Sequence, residues 1–126
     1  MVRFSALLAI GFAIFLAIGE AVRNWGDWQW WPFWLVDYIA ATLMLTGGLF
    51  VLKRDDATVL VGAWGFTCAM FYMSFFSHIY EIQKGQLGSY GPQGSINEHT
   101  LTILIGILLL VSIIGFVMSL AGKQYR

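Results

Sequence analysis

Five side chains of the types that bind metals or move protons recur near the ends of apolar runs in this sequence: Glu20, Asp37, His78, Glu81 and His99. His78 and Glu81 are three residues apart, which sets imidazole and carboxylate on one face of a helix. Carboxylates and imidazoles drawn from several helices can hold iron or manganese, as di-metal four-helix bundles do with Glu and Glu-x-x-His ligands. Here the order is His-x-x-Glu and no second copy exists, so the match is one of type and not of signature. Two histidines with two carboxylates also suit a single zinc, copper or iron ion. A transition metal is therefore one cofactor these residues admit. Haem b is a lesser one: His78 and His99 could ligate one iron from both sides, with Phe71, Phe75 and Phe76 as walls.

The same residues can also satisfy one another. Arg23 can pair with Glu20 three positions before it, or reach Asp37. His78 can donate to Asp37 or Glu81, and Tyr38 and Tyr80 bring hydroxyls. Ser95-Ile96-Asn97-Glu98, just ahead of an apolar run, reads as a capping box with Ser95 as N-cap. Structural ion-pair networks produce clusters of this kind. A polar clasp that fixes helix register is the preferred reading, because metal motifs without defined spacing give many false matches.

Other chemistries find little support. Ser77 is adjacent to His78 and cannot be placed against its neighbour's ring, and neither a Gly-x-Ser-x-Gly elbow nor a phosphate-binding glycine loop occurs. Cys68 is the only cysteine, which excludes an intramolecular disulfide, a CxxC pair and the membrane thiol oxidoreductases. Met44, Met70, Met73 and Met118 are too scattered for a copper relay. The acids and histidines all fall in one half of the chain's helices. The other half offers Thr42, Thr46, Thr67, Cys68 and Ser112, so a complete transmembrane proton relay is not expected. No catalytic residue is assigned, and the chain leans towards a non-enzyme.

The elements that must position these residues follow from composition. Of the 126 residues, 59% are hydrophobic and 11% charged, against about 25% charged in soluble domains. Seven basic and seven acidic residues cancel, which gives no field for nucleic acid. A hydrocarbon core about 30 Å thick needs roughly 20 apolar residues per helix. Four segments meet that need, at about residues 2–22, 32–51, 57–80 and 101–121. The fold expected is all-α: an integral membrane, up-down four-helix transmembrane bundle forming a single domain over 1–126. The first segment also resembles a secretory signal peptide, with Arg3 ahead of the apolar stretch and Ala17, Gly19 and Ala21 near its end. Its full spanning length favours a retained helix instead.

Three connections join the segments. Residues 23–31 are rich in tryptophan. Lys53-Arg54-Asp55-Asp56 is a tight charged turn. Residues 83–97, with Gly85, Gly88, Gly91, Pro92 and Gly94, should be an irregular loop. One side holds Arg3, Lys53, Arg54, Lys123 and Arg126, the other only Arg23 and Lys84. That bias predicts both termini on the cytoplasmic side (of the inner membrane in a bacterium), with the first and third connections outside. It also weighs against dual topology. No internal repeat supports an inverted-repeat transporter. Trp25, Trp28, Trp30, Trp31 and Trp34 form an aromatic belt at the outer interface, or alternatively a platform for a quinone or lipid headgroup.

Small and polar stripes mark the faces that turn inward. Ala9, Ala13, Ala17 and Ala21 make a ridge bordered by Glu20. Asp37, Ala40, Ala41, Met44, Gly47 and Gly48 share one side of the second segment; Ala63, Thr67, Phe71, Ser74, His78 and Glu81 share one side of the third. His99, Thr102 and Gly106 align on the fourth, whose Ile103, Ile105, Leu108, Leu109, Leu110 and Ile113 read as lipid-facing. The function expected is an accessory subunit, or a self-assembling component of a membrane complex, with a structural polar cluster at its outer face. Its partners are the lipid bilayer and copies of itself or other membrane chains. The alternative is a metal-binding membrane protein, open to redox chemistry, with Glu20, Asp37, His78, Glu81 and His99 as ligands.

Overall fold

The computed structural model describes residues 1–124 and contains four helices: α1 (Val2–Arg23), α2 (Trp31–Arg54), α3 (Thr58–Gln83) and α4 (Glu98–Gln124). Arg126 and the side chain of Lys123, counted above among the basic residues, lie outside the described residues. Each helix is long and apolar enough to cross a membrane. Even α1, the shortest at 22 residues, extends about 33 Å at 1.5 Å per residue. α1 lies along α2 and α4, α3 also lies along α2 and α4, and α1 and α3 meet only briefly. The four helices therefore close a ring.

Local chemistry sets the helix ends. Pro32 sits in the first turn of α2, where its missing N–H costs nothing. Asp55 ends that helix in the left-handed conformation, and Asp56 Oδ1 accepts the Thr58 N–H at 2.9 Å to start α3. At α4 the expected capping box does not form. Asn97 is the cap, its Oδ1 accepting the Thr100 N–H at 2.8 Å. Ser95 instead closes a short 3-10 turn over Pro92–Gly94. The Glu98 carboxylate is left free for donors from elsewhere, and α4 starts three residues earlier than the apolar run.

The inward stripes of α1, α2 and α3 are where the small and polar residues placed them. Ala9, Ala13 and Glu20 are buried, with Ala17 and Ala21 of the same ridge half-buried, and Asp37, Ala40, Ala41, Met44, Gly47 and Gly48 are buried on α2. Ala63, Thr67, Phe71 and His78 are buried on α3, with Ser74 and Glu81 half-buried beside them. The two adjacent glycines of α2 each seat a different neighbour. A Cβ on Gly47 would stand 2.7 Å from the Leu60 Cα of α3, and one on Gly48 would stand 2.8 Å from the Ala6 carbonyl oxygen of α1. Both contacts are with backbone, so relief requires moving a helix. Gly47→Ala is accordingly expected to lower stability by about 1–3 kcal/mol, although alanine is the better helix former by about 1 kcal/mol. Gly62→Ala, whose Cβ meets nothing within 4 Å, is the control and should be neutral or stabilising. Unfolding of both variants by SDS titration in mild detergent checks the contrast.

α4 departs in part from the lipid-facing reading of its isoleucines and leucines. Ile105, assigned above to the lipid side, is 4% exposed and belongs to the core, and Leu108 and Leu109 are half-buried against it. The inward face is marked by Thr102, Ser112, Gly115 and Ser119. The three hydroxyls each donate to a carbonyl on their own helix, at Glu98, Leu109 and Phe116. Small and hydroxyl residues, not apolarity, distinguish that face. They were obscured by the isoleucines and leucines around them.

Trp64 is the centre of the core and is fully buried. Its indole N–H donates to Ser5 Oγ at 2.8 Å, and Ser5 donates on to the Gly115 carbonyl at 2.9 Å. One hydrogen-bonded chain thus ties α3, α1 and α4. Gly115 makes room for the indole: any side chain there would run into the Trp64 ring. Phe12 packs edge-on against both Trp64 and Phe71.

Candidate functional site

The last turns of α1 and α3 and the first turns of α2 and α4 meet in one polar cluster. Its hub is Glu98, 2% exposed at the start of α4. Oε1 receives His78 Nδ1 at 2.5 Å from α3. Oε2 receives the Tyr90 hydroxyl at 2.8 Å and the Gly88 N–H at 3.1 Å, both from the third connection. On its other side His78 Nε2 lies 3.5 Å from an Arg23 guanidinium nitrogen at the end of α1. An imidazole with its proton on Nδ1 serves both contacts, donating to Glu98 and accepting from Arg23. Arg23, His78 and Glu98 form one chain across three helices.

Arg23 also stacks over the Tyr90 ring, 5.2 Å from its centroid, and lies 4.0 Å from Glu20 Oε2. Burial first, and then the hydrogen bond to Glu98 and its charge, push the Tyr90 phenol up to about 12. It therefore remains a hydrogen-bond donor at neutral pH. Glu20 is held by Asn24, whose amide donates to Glu20 Oε1 at 2.7 Å and to the Glu20 carbonyl at 2.9 Å. Asn24 Oδ1 in turn accepts the Gln29 N–H at 3.2 Å and shapes the first connection. Asp37 stands one turn inside α2, buried, and lines the same cavity as Glu20 and Arg23.

The third connection is more ordered than the irregular loop its glycines suggested. Ser89–Tyr90 pairs antiparallel with Ile96–Asn97, in the register Ser89 to Asn97 and Tyr90 to Ile96. Gly91 turns at φ 80 and donates its N–H to the Arg23 carbonyl at 2.9 Å. That bond draws the ribbon over the end of α1 and brings Tyr90 to Glu98. Asn24, Tyr90 and Gly88 were not anticipated. For Asn24 a signal existed, a polar amide directly after the last helical residue; for Tyr90 there was none, because its role depends on the ribbon.

Of the five residues considered as metal ligands, Glu20, Asp37, His78 and Glu81 line one cavity and His99 does not. His99 is exposed at the first turn of α4. Among the described residues no group of three or more His, Cys, Asp or Glu side chains is placed to hold a metal ion. For haem, His78 lines that cavity and His99 does not. Both ring nitrogens of His78 are engaged, while Phe71 packs on Phe12 and Phe75 on Phe76.

The cavity measures about 760 Å³ and is lined from all four helices. A second space of about 450 Å³ lies between the first and third connections. Arg23, Gln29 and Tyr90 line both, so they form the partition between the two. No protein-family model, curated protein or solved structure matches the chain.

Proposed function

We propose that the chain is a four-pass membrane protein of up-down topology with both termini cytoplasmic. Its task is non-enzymatic: an accessory subunit or self-assembling component of a membrane complex, in the inner membrane if the cell is bacterial. The polar cluster is the structural clasp of its outer end. The observation that carries this reading is the saturation of Glu98, whose two oxygens take three donors from α3 and the third connection. In hydrocarbon an unsatisfied polar group costs several kcal/mol, and Glu98 meets its own need with donors from the protein. The exposed Trp25, Trp28, Trp30 and Trp31 at the same end support an interfacial belt. Trp28 packs edge-on against Trp34, and Trp30 edge-on against Trp31 and Phe33, so the belt residues support one another.

Orientation is supported by Arg3, Lys53 and Arg54 at one end against Arg23 and Lys84 at the other. Single cysteines test it in a Cys68→Ser background, with a membrane-impermeant maleimide on intact cells. Gln93→Cys, in the third connection, should label from outside; Asp56→Cys, in the second, should label only after the membrane is opened. The reverse pattern overturns the orientation, and labelling of both sites in intact cells overturns the single topology. The structural role of the clasp is tested by assembly: His78→Ala should reduce folded, membrane-extracted protein. Unchanged folding with specific loss of a bound metal would contradict it.

A further inference from the structure

Asp37 is buried without a donor. It is 9% exposed, and among the described residues no amide, hydroxyl or basic side chain donates a hydrogen bond to its carboxylate. The one side-chain nitrogen or oxygen among them that is both sealed off and without a partner is Arg23 Nε. The Asp37 oxygens are therefore not sealed. The surface they keep faces the space that Asp37 lines, which is the large cavity of about 760 Å³. A carboxylate so placed in an apolar surrounding is costly unless it is paired or protonated.

The other charges of the cavity do not meet this need. Its lining carries three carboxylates, Glu20, Asp37 and Glu81, against one guanidinium, Arg23. That guanidinium is engaged elsewhere: it lies 4.0 Å from Glu20 Oε2, 3.5 Å from His78 Nε2 and over the Tyr90 ring. The balance of the lining is negative, so it attracts a cation and repels an anion such as phosphate. An inorganic ion finds no shell there, since no group of three or more His, Cys, Asp or Glu side chains among the described residues is placed to hold a metal. An organic cation finds both a counter-ion and a matching wall, because most of the remaining lining is apolar. Ile18 and Met73, both in that wall, are 61% and 69% exposed, so the space opens on the apolar flank of the molecule. Its volume falls within the usual range of ligand pockets, about 300–1,000 Å³.

We propose that this cavity binds an amphiphilic organic cation, an ammonium on a hydrocarbon body, with the Asp37 carboxylate as its counter-ion. The ammonium lies against Asp37, and the body lies along the apolar lining towards the flank. A buried charge without a partner costs far more than one that is paired, so the cation supplies what the protein leaves out at Asp37. Glu20 and Glu81 add attraction from the same lining. This inference rests on the membrane insertion proposed above, because the ligand enters through a flank that must face lipid.

The test uses the full chain in an uncharged maltoside detergent, checked first for co-flotation with phosphatidylcholine vesicles. Titration calorimetry, corrected for empty micelles, compares hexyltrimethylammonium, hexanol and hexyl phosphate. Saturable binding of the ammonium near one per chain, tighter than that of the other two, is expected. Asp37→Asn keeps the shape and removes the charge; it should weaken ammonium binding at least about tenfold, about 1.4 kcal/mol, with the unfolding midpoint kept or raised. Asp27→Asn makes the same change of charge at a residue that lines the outer space instead and should leave the affinity unchanged. Gly19 lines the cavity, and a Cβ there would meet nothing within 4 Å, so Gly19→Leu should fold and also weaken binding. Hexanol or hexyl phosphate binding as tightly as the ammonium overturns the assignment. So does an Asp37→Asn protein of unchanged affinity, or an equal loss in Asp27→Asn. A protein that floats with the vesicles and binds no ammonium overturns this inference alone. One that does not float overturns the membrane reading as well.

Discussion

Replacing Glu98 with alanine is expected to destabilise the protein by about 3–5 kcal/mol, since each buried donor left without its acceptor costs about 1–3 kcal/mol. The loss is large because one carboxylate serves three donors. Without it the His78 imidazole, the Tyr90 hydroxyl and the Gly88 N–H lose their acceptor together. Tyr90 would then have no hydrogen bond holding it to α4, and the ribbon would be tied to α1 by the Gly91 bond to the Arg23 carbonyl and by Arg23 over the Tyr90 ring. Glu98→Gln preserves shape and one acceptor oxygen, so it should lose less, about 1–3 kcal/mol. SDS titration followed by circular dichroism measures both. If the alanine variant unfolds at the wild-type midpoint, the clasp does not hold the bundle.

Trp64→Ala is expected to cost about 3–5 kcal/mol, as large-to-small changes at buried aromatics do. The indole fills the space between α1, α3 and α4 that Gly115 leaves open, and it contacts Phe12 edge-on. Removing it opens a cavity and leaves Ser5 without its donor. Trp64→Phe retains most of the volume and should lose about 1 kcal/mol, mainly for the indole hydrogen bond. The pair of variants separates packing from hydrogen bonding. Similar losses in both would mean that the Ser5 bond, and not the packed ring, dominates.

Much of the fold was legible because the hydrophobic runs are long and the small-residue stripes unambiguous. Asp37, Ala40, Ala41, Met44, Gly47 and Gly48 fall on one face by spacing alone, and all six are buried. α4 was harder to read: its apolar residues surround the helix, and only Thr102, Ser112, Gly115 and Ser119 mark the buried side. Trp64 was hidden by the five tryptophans of the belt, since nothing local tells a core indole from an interfacial one. At the site, Glu20, Asp37 and His78 could be singled out because ionisable groups in apolar helices need partners. Their partners could not be named. Glu98 was given a local capping role that Asn97 performs. Tyr90 depends on a two-residue ribbon whose register no helix pattern encodes. His99 shares a residue type with His78 but sits one position past Glu98, on the exposed side of the same turn.

The most direct test of the clasp is a double-mutant cycle between His78 and Glu98, with alanine at each and at both. Stability is measured in mild detergent with a chelator present. A coupling free energy of about 1–3 kcal/mol, unchanged when the chelator is omitted, is predicted for a direct buried pair. Single losses that add within about 0.5 kcal/mol, or a coupling that disappears with the chelator, would contradict a self-sufficient clasp and return the cluster to a metal-dependent role.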